Sequence, residues 1–230
     1  MESLKERVCE ANLAIVRAGL VFQTWGNASA IDHASAQVCI KPSGLAYDAM
    51  TPRDMVIVNQ EGEPATGSLK PSVDLPTHLA LYRAFPAIGG IVHTHSHFAT
   101  CFAQACSVIP CLGTTHADYF GGDIPVTDEL TAIEVDSDYE ANIGKAIVRA
   151  YLRRDPMCAP AVLVANHGPF AWGETIEQAV ENAVVLEEVA RLAFHTLALS
   201  PTQSRLASHL TEKHFFRKHG QSAYYGQKKA

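Results

Sequence analysis

The stretch Gly89-Gly90-Ile91-Val92-His93-Thr94-His95-Ser96-His97 constrains this chain more than any other. Its core, Ile91 to His95, alternates as a strand does, and successive side chains on a strand point to opposite faces. His93 and His95 therefore share a face two residues apart, where both imidazoles can reach one cation without backbone strain. Neutral imidazole is the commonest metal ligand, and zinc takes it readily. His97 continues the alternation, but the strand is expected to end near Ser96, where His97 can diverge. A bare His-x-His is also what a polar strand end with solvated histidines looks like. Three later features favour a metal: a second strand ending in His167, an acid at Asp118, and a polar loop from Lys41 to Gly44.

The chain has 230 residues, enough for one large domain or for two small ones with no visible seam. A hydrophobic share of 47% with 18% charged residues suits an enzyme-sized core. The net charge of −6 and the lack of a Lys/Arg block argue against a nucleic-acid partner. Lys213, Arg217, Lys218, Lys228 and Lys229 are scattered, and most read as solvated surface. No run reaches the ~18 apolar residues a membrane span needs, so no membrane partner is expected. The N-terminus carries charges of both signs and no signal-peptide core. Cys9, Cys39, Cys101, Cys106, Cys111 and Cys158 form no CxxC pair. They read as reduced core residues of a cytoplasmic protein, which also disfavours a Cys-ligated structural zinc.

Ser3 and Glu6 form a capping box for a first helix, which Gly19 is placed to stop. Thr24 to Ser29 reads as a strand-edge turn with exposed amides. Val38 to Ile40 is a strand running into Lys41-Pro42-Ser43-Gly44, whose ammonium, hydroxyl and free amide make an anion cradle. Met55 to Val58 is a strand, and the turn at Glu61-Gly62 suggests an antiparallel hairpin. Asp74 has two open roles: N-cap of the next helix, or an acid aimed at the histidines. Ser72 and the Val73 amide lie at the same helix start, where anions bind well. Phe98 to Ala105 is expected to be a short helix.

The loop from Gly113 to Gly122 is rich in proton-transfer groups, and Asp118 is its acid of choice, an Asx-turn being its other role. Ser137 and Glu140 suggest a capping box for a helix to about Arg153, so that Glu140 reads as a cap. Ala161 to Ala165 is a continuous apolar run suited to a central strand, and it ends in His167 locked by Gly168 and Pro169. Thr175 and Gln178 cap a long helix from Ile176 to Leu199, with Ile176, Ala179, Val180, Ala183, Val184, Val189 and Leu192 as its apolar stripe. Glu177, Glu181, Glu187 and Glu188 look solvated. A last helix follows Pro201 to about Lys218, closed by Gly220, and the aromatic tail Ala223 to Gln227 is expected to pack, on a neighbouring subunit for instance.

Three His ligands with open positions describe a catalytic centre, a Lewis acid that polarises carbonyls and stabilises an enediolate. With a phosphate pocket from the Ser/Gly/Lys loops and proton transfer by Asp118 and Tyr225, these parts suit carbon–carbon cleavage in a sugar phosphate. A metal hydrolase would need the same ligands.

Several segments together resemble the L-ribulose-5-phosphate 4-epimerase branch of the class II (zinc) aldolase superfamily. They are residues 24–27 (Thr-Trp-Gly-Asn), 40–44 (Ile-Lys-Pro-Ser-Gly), 90–96 (Gly-Ile-Val-His-Thr-His-Ser), 113–120 (Gly-Thr-Thr-His-Ala-Asp-Tyr-Phe), 167–173 (His-Gly-Pro-Phe-Ala-Trp-Gly), 217–220 (Arg-Lys-His-Gly) and 223–227 (Ala-Tyr-Tyr-Gly-Gln). The resemblance runs almost end to end. It implies a single domain over residues 1–230, an α/β fold in three α/β/α layers around a mostly antiparallel central sheet, and a homotetramer whose tail completes a neighbour's site. It implies Zn²⁺, one per subunit, on His93, His95 and His167 with Asp74 beside or on it; Mn²⁺ or Co²⁺ would serve the same ligands. The implied contacts to a phosphorylated ketopentose are Gly26, Asn27, Ser43, Gly44, Ser72 and Val73, with Lys41 close by and His214 and Arg217 from the tail. The implied acid/base pair is Asp118 and, from the adjacent subunit, Tyr225. The implied reaction interconverts L-ribulose 5-phosphate and D-xylulose 5-phosphate by retro-aldol and aldol steps. The rivals are an aldolase acting on a sugar 1-phosphate and a non-catalytic metal-binding protein. One departure stands out: where the family commonly has Ser-Ser before the Asp, this chain has Ser72-Val73, so weaker phosphate binding or a shifted substrate preference is expected.

Overall fold

A computed structural model describes residues 3–65, 69–219 and 223–225. Helix α1 (Leu4–Arg17) opens with the expected box, the Ser3 side chain accepting from the Glu6 amide and the Glu6 side chain from the Ser3 amide. It closes at Gly19 (φ +72°), where the Gly19 amide donates to Val16 and the Leu20 amide to Ile15. Only glycine enters that left-handed region without penalty.

Six strands follow: β1 (Gly26–Asp32), β2 (Gln37–Ile40), β3 (Val56–Val58), β4 (Gly90–Thr94), β5 (Ala161–Val164) and β6 (Gly168–Gly173). They form one sheet in the order β3-β2-β1-β4-β6-β5, every neighbouring pair antiparallel. The remaining helices are α2 (Leu75–Ala84), α3 (His97–Gln104), α4 (Thr114–Ala117), α5 (Ala132–Asp136), α6 (Tyr139–Ala150), α7 (Ile176–Leu199) and α8 (Ser208–His219).

Two hydrophobic cores flank the sheet. Val8, Ile15, Ala28, Val92, Ala171, Ala183 and Leu186 belong to one, built with α1, α3 and α7. Ile31, Val38, Leu79, Ile91, Ile147, Phe170 and Trp172 belong to the other, built with α2 and α6. Alternate side chains of each strand feed opposite cores, so the fold is the expected three-layer α/β/α arrangement. Among the described residues no helix is long and apolar enough to cross a membrane.

Several sequence expectations need correction. The Ala161–Ala165 run forms β5 at the sheet edge, not its centre. It is apolar throughout because helices cover both faces and the segment at Pro125 to Thr127 covers its edge, through Leu163 N–H to Pro125 (2.9 Å) and Thr127 N–H to Leu163 (2.9 Å). The segment at 24–29 is a turn only as far as Trp25; Gly26 onward is the inner strand β1. The hairpin after β3 has its turn, and among the described residues its returning arm pairs through one bridge, Val58 with Pro64, flanked by Asn59 N–H to Glu63 (3.0 Å) and Ala65 N–H to Ile57 (2.9 Å).

Ser137 and Glu140 make no capping box: Ser137 Oγ instead accepts from Asn142 Nδ2 (2.9 Å). The box forms one helix earlier, between Thr131 and Glu134 of α5. In α7, Val184 and Leu192 are exposed, while Asn182, Leu186, Ala190 and Ala193 are buried. Glu187 is not free in solvent, because its carboxylate accepts from the Phe98 and Ala99 amides at the start of α3 (2.8 and 3.0 Å). Helix α8 starts at Ser208; the Gly220 stop and Gly226-Gln227 lie outside the described residues.

Candidate metal and anion site

β1, β4 and β6 lie side by side with Asn27 opposite His93 and His93 opposite Phe170. This register puts an amide, an imidazole and an aromatic ring in one row on the α2 side of the sheet. Phe170 stacks on His93 at 4.2 Å between centroids and 17° between planes. β4 ends at Thr94, and His95 follows it in irregular backbone; His97 is exposed as the first residue of α3. His167 lies between β5 and β6, preceded by Asn166 in the left-handed region (φ +61°). Gly168 is required next to it, for a Cβ there would lie 2.8 Å from the Thr94 carbonyl oxygen.

The ligand atoms of His93, His95 and His167 lie within 4.8 Å of one another. His93 Nδ1 donates to the Pro169 carbonyl (2.9 Å), which leaves Nε2 with its lone pair facing His167 Nε2 at 3.2 Å. Burial first, then the neighbouring imidazoles, push His95 down to about 4 and His167 to about 3. Both are therefore neutral at pH 7, and three imidazoles converging on one point fit a divalent cation.

Asp74 precedes α2 but makes no side-chain cap. Its carboxylate accepts from Asn27 Nδ2 (2.6 Å) and Ser72 Oγ (3.4 Å), and it is not a member of the three-histidine cluster. Burial alone would raise its pKa; His93, His78 and Asn27 outweigh that and hold it below the usual carboxylate range.

A cleft of about 570 Å³ opens over these groups. Asp74, His93, His95 and His167 line one part of it, and Gly26, Asn27, Lys41, Ser43, Gly44, Ser72 and Val73 line the rest. The loops after β2 and before α2 are tied together by Ser43 N–H to Lys70 and Ser72 N–H to Lys41 (both 2.9 Å). Lys41 is 2% exposed, forms no ion pair among the described residues, and packs its ammonium 4.8 Å from the centre of the Tyr47 ring. Burial lowers its pKa. A nearly buried ammonium with one carbonyl contact, to Pro42 at 3.3 Å, keeps donor capacity for an anion.

Asp118, His214, Arg217 and Tyr225 do not line this cleft. They meet elsewhere: Asp118 accepts from His214 (3.1 Å) and from both ends of the Arg217 guanidinium (2.8 and 2.6 Å), and the Arg217 guanidinium lies 4.8 Å from the Tyr225 ring.

The sequence reading passed over His78. It is fully buried, with Nδ1 2.7 Å from Ser29 Oγ, itself 2.8 Å from the Tyr82 hydroxyl. Its Nε2 has no partner among the described residues. The signal was available: His78 follows Asp74 by four residues, the spacing that shares a helix face. Tyr139, 3.4 Å from His167 Nδ1, carried no such signal.

The protein is similar to L-fuculose 1-phosphate aldolase (24% identity, covering 93% of this chain and 96% of that one, TM-score 0.78). A second similar structure is YgbL, a putative aldolase/epimerase/decarboxylase from Escherichia coli (25% identity, 91% and 96% covered, TM-score 0.73). A third is L-fuculose 1-phosphate aldolase from Glaciozyma antarctica (22% identity, 96% and 84% covered, TM-score 0.76). Residues 6–194 match the family described as Class II Aldolase and Adducin N-terminal domain, and the chain belongs to that family.

Proposed function

We propose that the protein is a metal-dependent sugar-phosphate enzyme working by retro-aldol chemistry, and specifically an L-ribulose-5-phosphate 4-epimerase. One observation carries this reading: a single cleft joins three converging imidazoles to a nearly buried ammonium at Lys41 that has no ion pair among the described residues. A phosphorylated ketose has both complements, adjacent carbonyl and hydroxyl oxygens at one end and a phosphate at the other. A divalent cation on His93, His95 and His167, zinc being the expected one, would supply Lewis acidity toward the sugar oxygens.

In this scheme Lys41, Ser43, Ser72 and the Gly44 and Val73 amides hold the phosphate. Asp74, gripped by Asn27, keeps a carboxylate beside the histidines. A base takes the C4 hydroxyl proton, and the C3–C4 bond breaks. Its electron pair stays on the three-carbon enediolate, and the other fragment leaves as glycolaldehyde phosphate. The aldehyde turns over, the bond re-forms on its other face, and the new C4 alkoxide is protonated.

Asp118 and Tyr225 are the proposed proton carriers. They share a cluster outside the cleft of their own chain, so in place of Asp118 from the site's own subunit and Tyr225 from the adjacent one, this reading takes both from one subunit and gives them to its neighbour's cleft, in a homo-oligomer that is a tetramer on the family pattern.

The second reading is an aldolase that releases its fragments, suggested by the similarity to two L-fuculose 1-phosphate aldolases. The deciding experiment incubates metal-loaded protein with L-ribulose 5-phosphate, with and without chelator, and follows D-xylulose 5-phosphate by a coupled assay. Chelator-sensitive conversion is expected. Release of free dihydroxyacetone phosphate from a sugar 1-phosphate, without epimerisation, would establish the aldolase instead. Loss of thermal stability alone on chelation, with no turnover of either substrate, would mark a non-catalytic metal protein.

A further inference from the structure

We propose that Arg217 is a positioning residue that fixes Asp118 and Tyr225 to one another as a single unit, rather than a substrate contact. The inference rests on the reading above, in which those two residues carry the protons.

Arg217 reaches both partners in three ways. Its guanidinium forms a bidentate pair with Asp118, Nε to Oδ1 at 2.8 Å and Nη2 to Oδ2 at 2.6 Å. The same guanidinium lies 4.8 Å from the Tyr225 ring centroid. Its backbone carbonyl accepts the Tyr224 and Tyr225 amides at 3.0 and 3.1 Å, turning the tail back onto α8. The fork is largely withdrawn from solvent, with the Asp118 and Arg217 side chains 14% and 23% exposed. Asp118 takes the Nε–Nη2 edge of this guanidinium and the Tyr225 ring one face of it, so a phosphate could grip that edge only by displacing Asp118. A lysine could supply the charge but not the planar two-point grip.

The surrounding charges are few. Asp118 is faced from α8 by His214, whose Nδ1 is 3.1 Å from Oδ1, and by His219, whose Nε2 donates to the Asp118 carbonyl at 2.9 Å. Tyr225 is faced by Arg217 and by Lys218, whose ammonium lies 5.0 Å from its ring and 3.8 Å from that of Tyr119. Tyr119 in turn donates to Glu181 on α7 (2.9 Å). Partial burial would raise the Asp118 carboxyl; Arg217 and His214 outweigh it and hold the carboxyl below its usual range.

The test compares R217M, R217K, D118N and the R217M/D118N double variant, all metal-replete. The readouts are turnover of L-ribulose 5-phosphate against pH, metal content, and amide hydrogen exchange. R217M is expected to lower kcat about a hundredfold with KM changed less than about threefold, as loss of orientation does. The limb of the pH–rate profile belonging to Asp118 should move to higher pH. The double variant should be no slower than D118N alone, because Arg217 acts through Asp118. R217K, which keeps the charge without the fork, should recover little of the rate. A raised KM at unchanged kcat, or losses that multiply in the double variant, would overturn the proposal in favour of a substrate contact.

If the wild-type protein converts no sugar phosphate, the functional reading fails, and amide exchange still decides this one. Faster exchange at the Tyr224 and Tyr225 amides in both R217M and D118N supports the unit. Unchanged protection in R217M removes it.

Discussion

Val73 sets an exposed apolar side chain among the polar groups of the cleft. It lines the cleft beside Ser43, Ser72 and Lys41, is 63% exposed, and brings a methyl surface where those bring donors. Its backbone amide stays available, so on the proposed reading one hydrogen bond to the phosphate would be missing rather than the whole cradle. A hydrogen bond to a charged group is worth about 1.5–3 kcal/mol. V73S should therefore lower KM for L-ribulose 5-phosphate by about tenfold or more, with kcat little changed, as steady-state kinetics would show. An unchanged KM would place the phosphate away from residue 73. The residue scale also shows what sequence patterns pass over. His78 was legible only through its spacing of four residues from Asp74, since Pro-Thr-His-Leu carries no motif, yet its Nδ1 meets Ser29 Oγ, which in turn meets the Tyr82 hydroxyl. Asp74 looked equally suited to a cap, and only the 2.6 Å bond from Asn27 separates the two roles.

Among the elements, legibility followed how far each served the core alone. Helix α1 and helix α7 were readable because their caps are local: Ser3 with Glu6, and Thr175 accepting from the Gln178 amide at 3.2 Å. β1 was not, since its sequence Gly-Asn-Ala-Ser-Ala-Ile-Asp shows no alternation of large apolar residues. Ala28 and Ala30 face one core, while Asn27 and Ser29 spend the other face on Asp74 and His78. β6 was hidden for a related reason, with glycines at both ends where Thr94 and the start of α7 come close. The Glu187 contact was out of reach because its partners are 88 and 89 residues away. That carboxylate caps α3, the helix that leaves directly after His95 and Ser96. E187A strands two N-terminal amides and should cost about 1–2 kcal/mol of stability, read as a lower midpoint in urea. E187Q keeps one acceptor oxygen and should cost less. An unshifted midpoint in E187A would show that water replaces the carboxylate.

For the molecule as a whole, the consequence of burying so many imidazoles is a stability that depends on pH in a fixed direction. Burial pushes His116 down to about 4, despite its bond to the Gly122 carbonyl, and His78 to about 3. His95 and His167 are depressed as well, to about 4 and about 3. In the unfolded chain each takes its proton near pH 6.5 (about 6.5 for a free imidazole). Between that value and the folded one, the unfolded state binds more protons, so stability rises with pH. The contribution is complete above about pH 6.5 and is lost as pH falls toward 4 for His95 and His116 and toward 3 for His78 and His167. Asp74 and Asp118, held below the usual carboxylate range, act in the same sense at lower pH, their share being present above the unfolded value and lost as pH falls through the folded one. Each pH unit of the gap is about 1.4 kcal/mol, so His116 alone can remove on the order of 3 kcal/mol. Chelator-treated protein should therefore melt at a constant temperature above about pH 7 and progressively lower between pH 6.5 and 4. H116Q, whose side-chain amide can still donate to the Gly122 carbonyl, should flatten that slope. Metal-loaded protein should melt higher than the chelated form at neutral pH, and the two curves should converge as acid protonates His95 and His167. A melting temperature that stays level down to pH 4 without metal would mean that these imidazoles are reached by water and protons in the folded state.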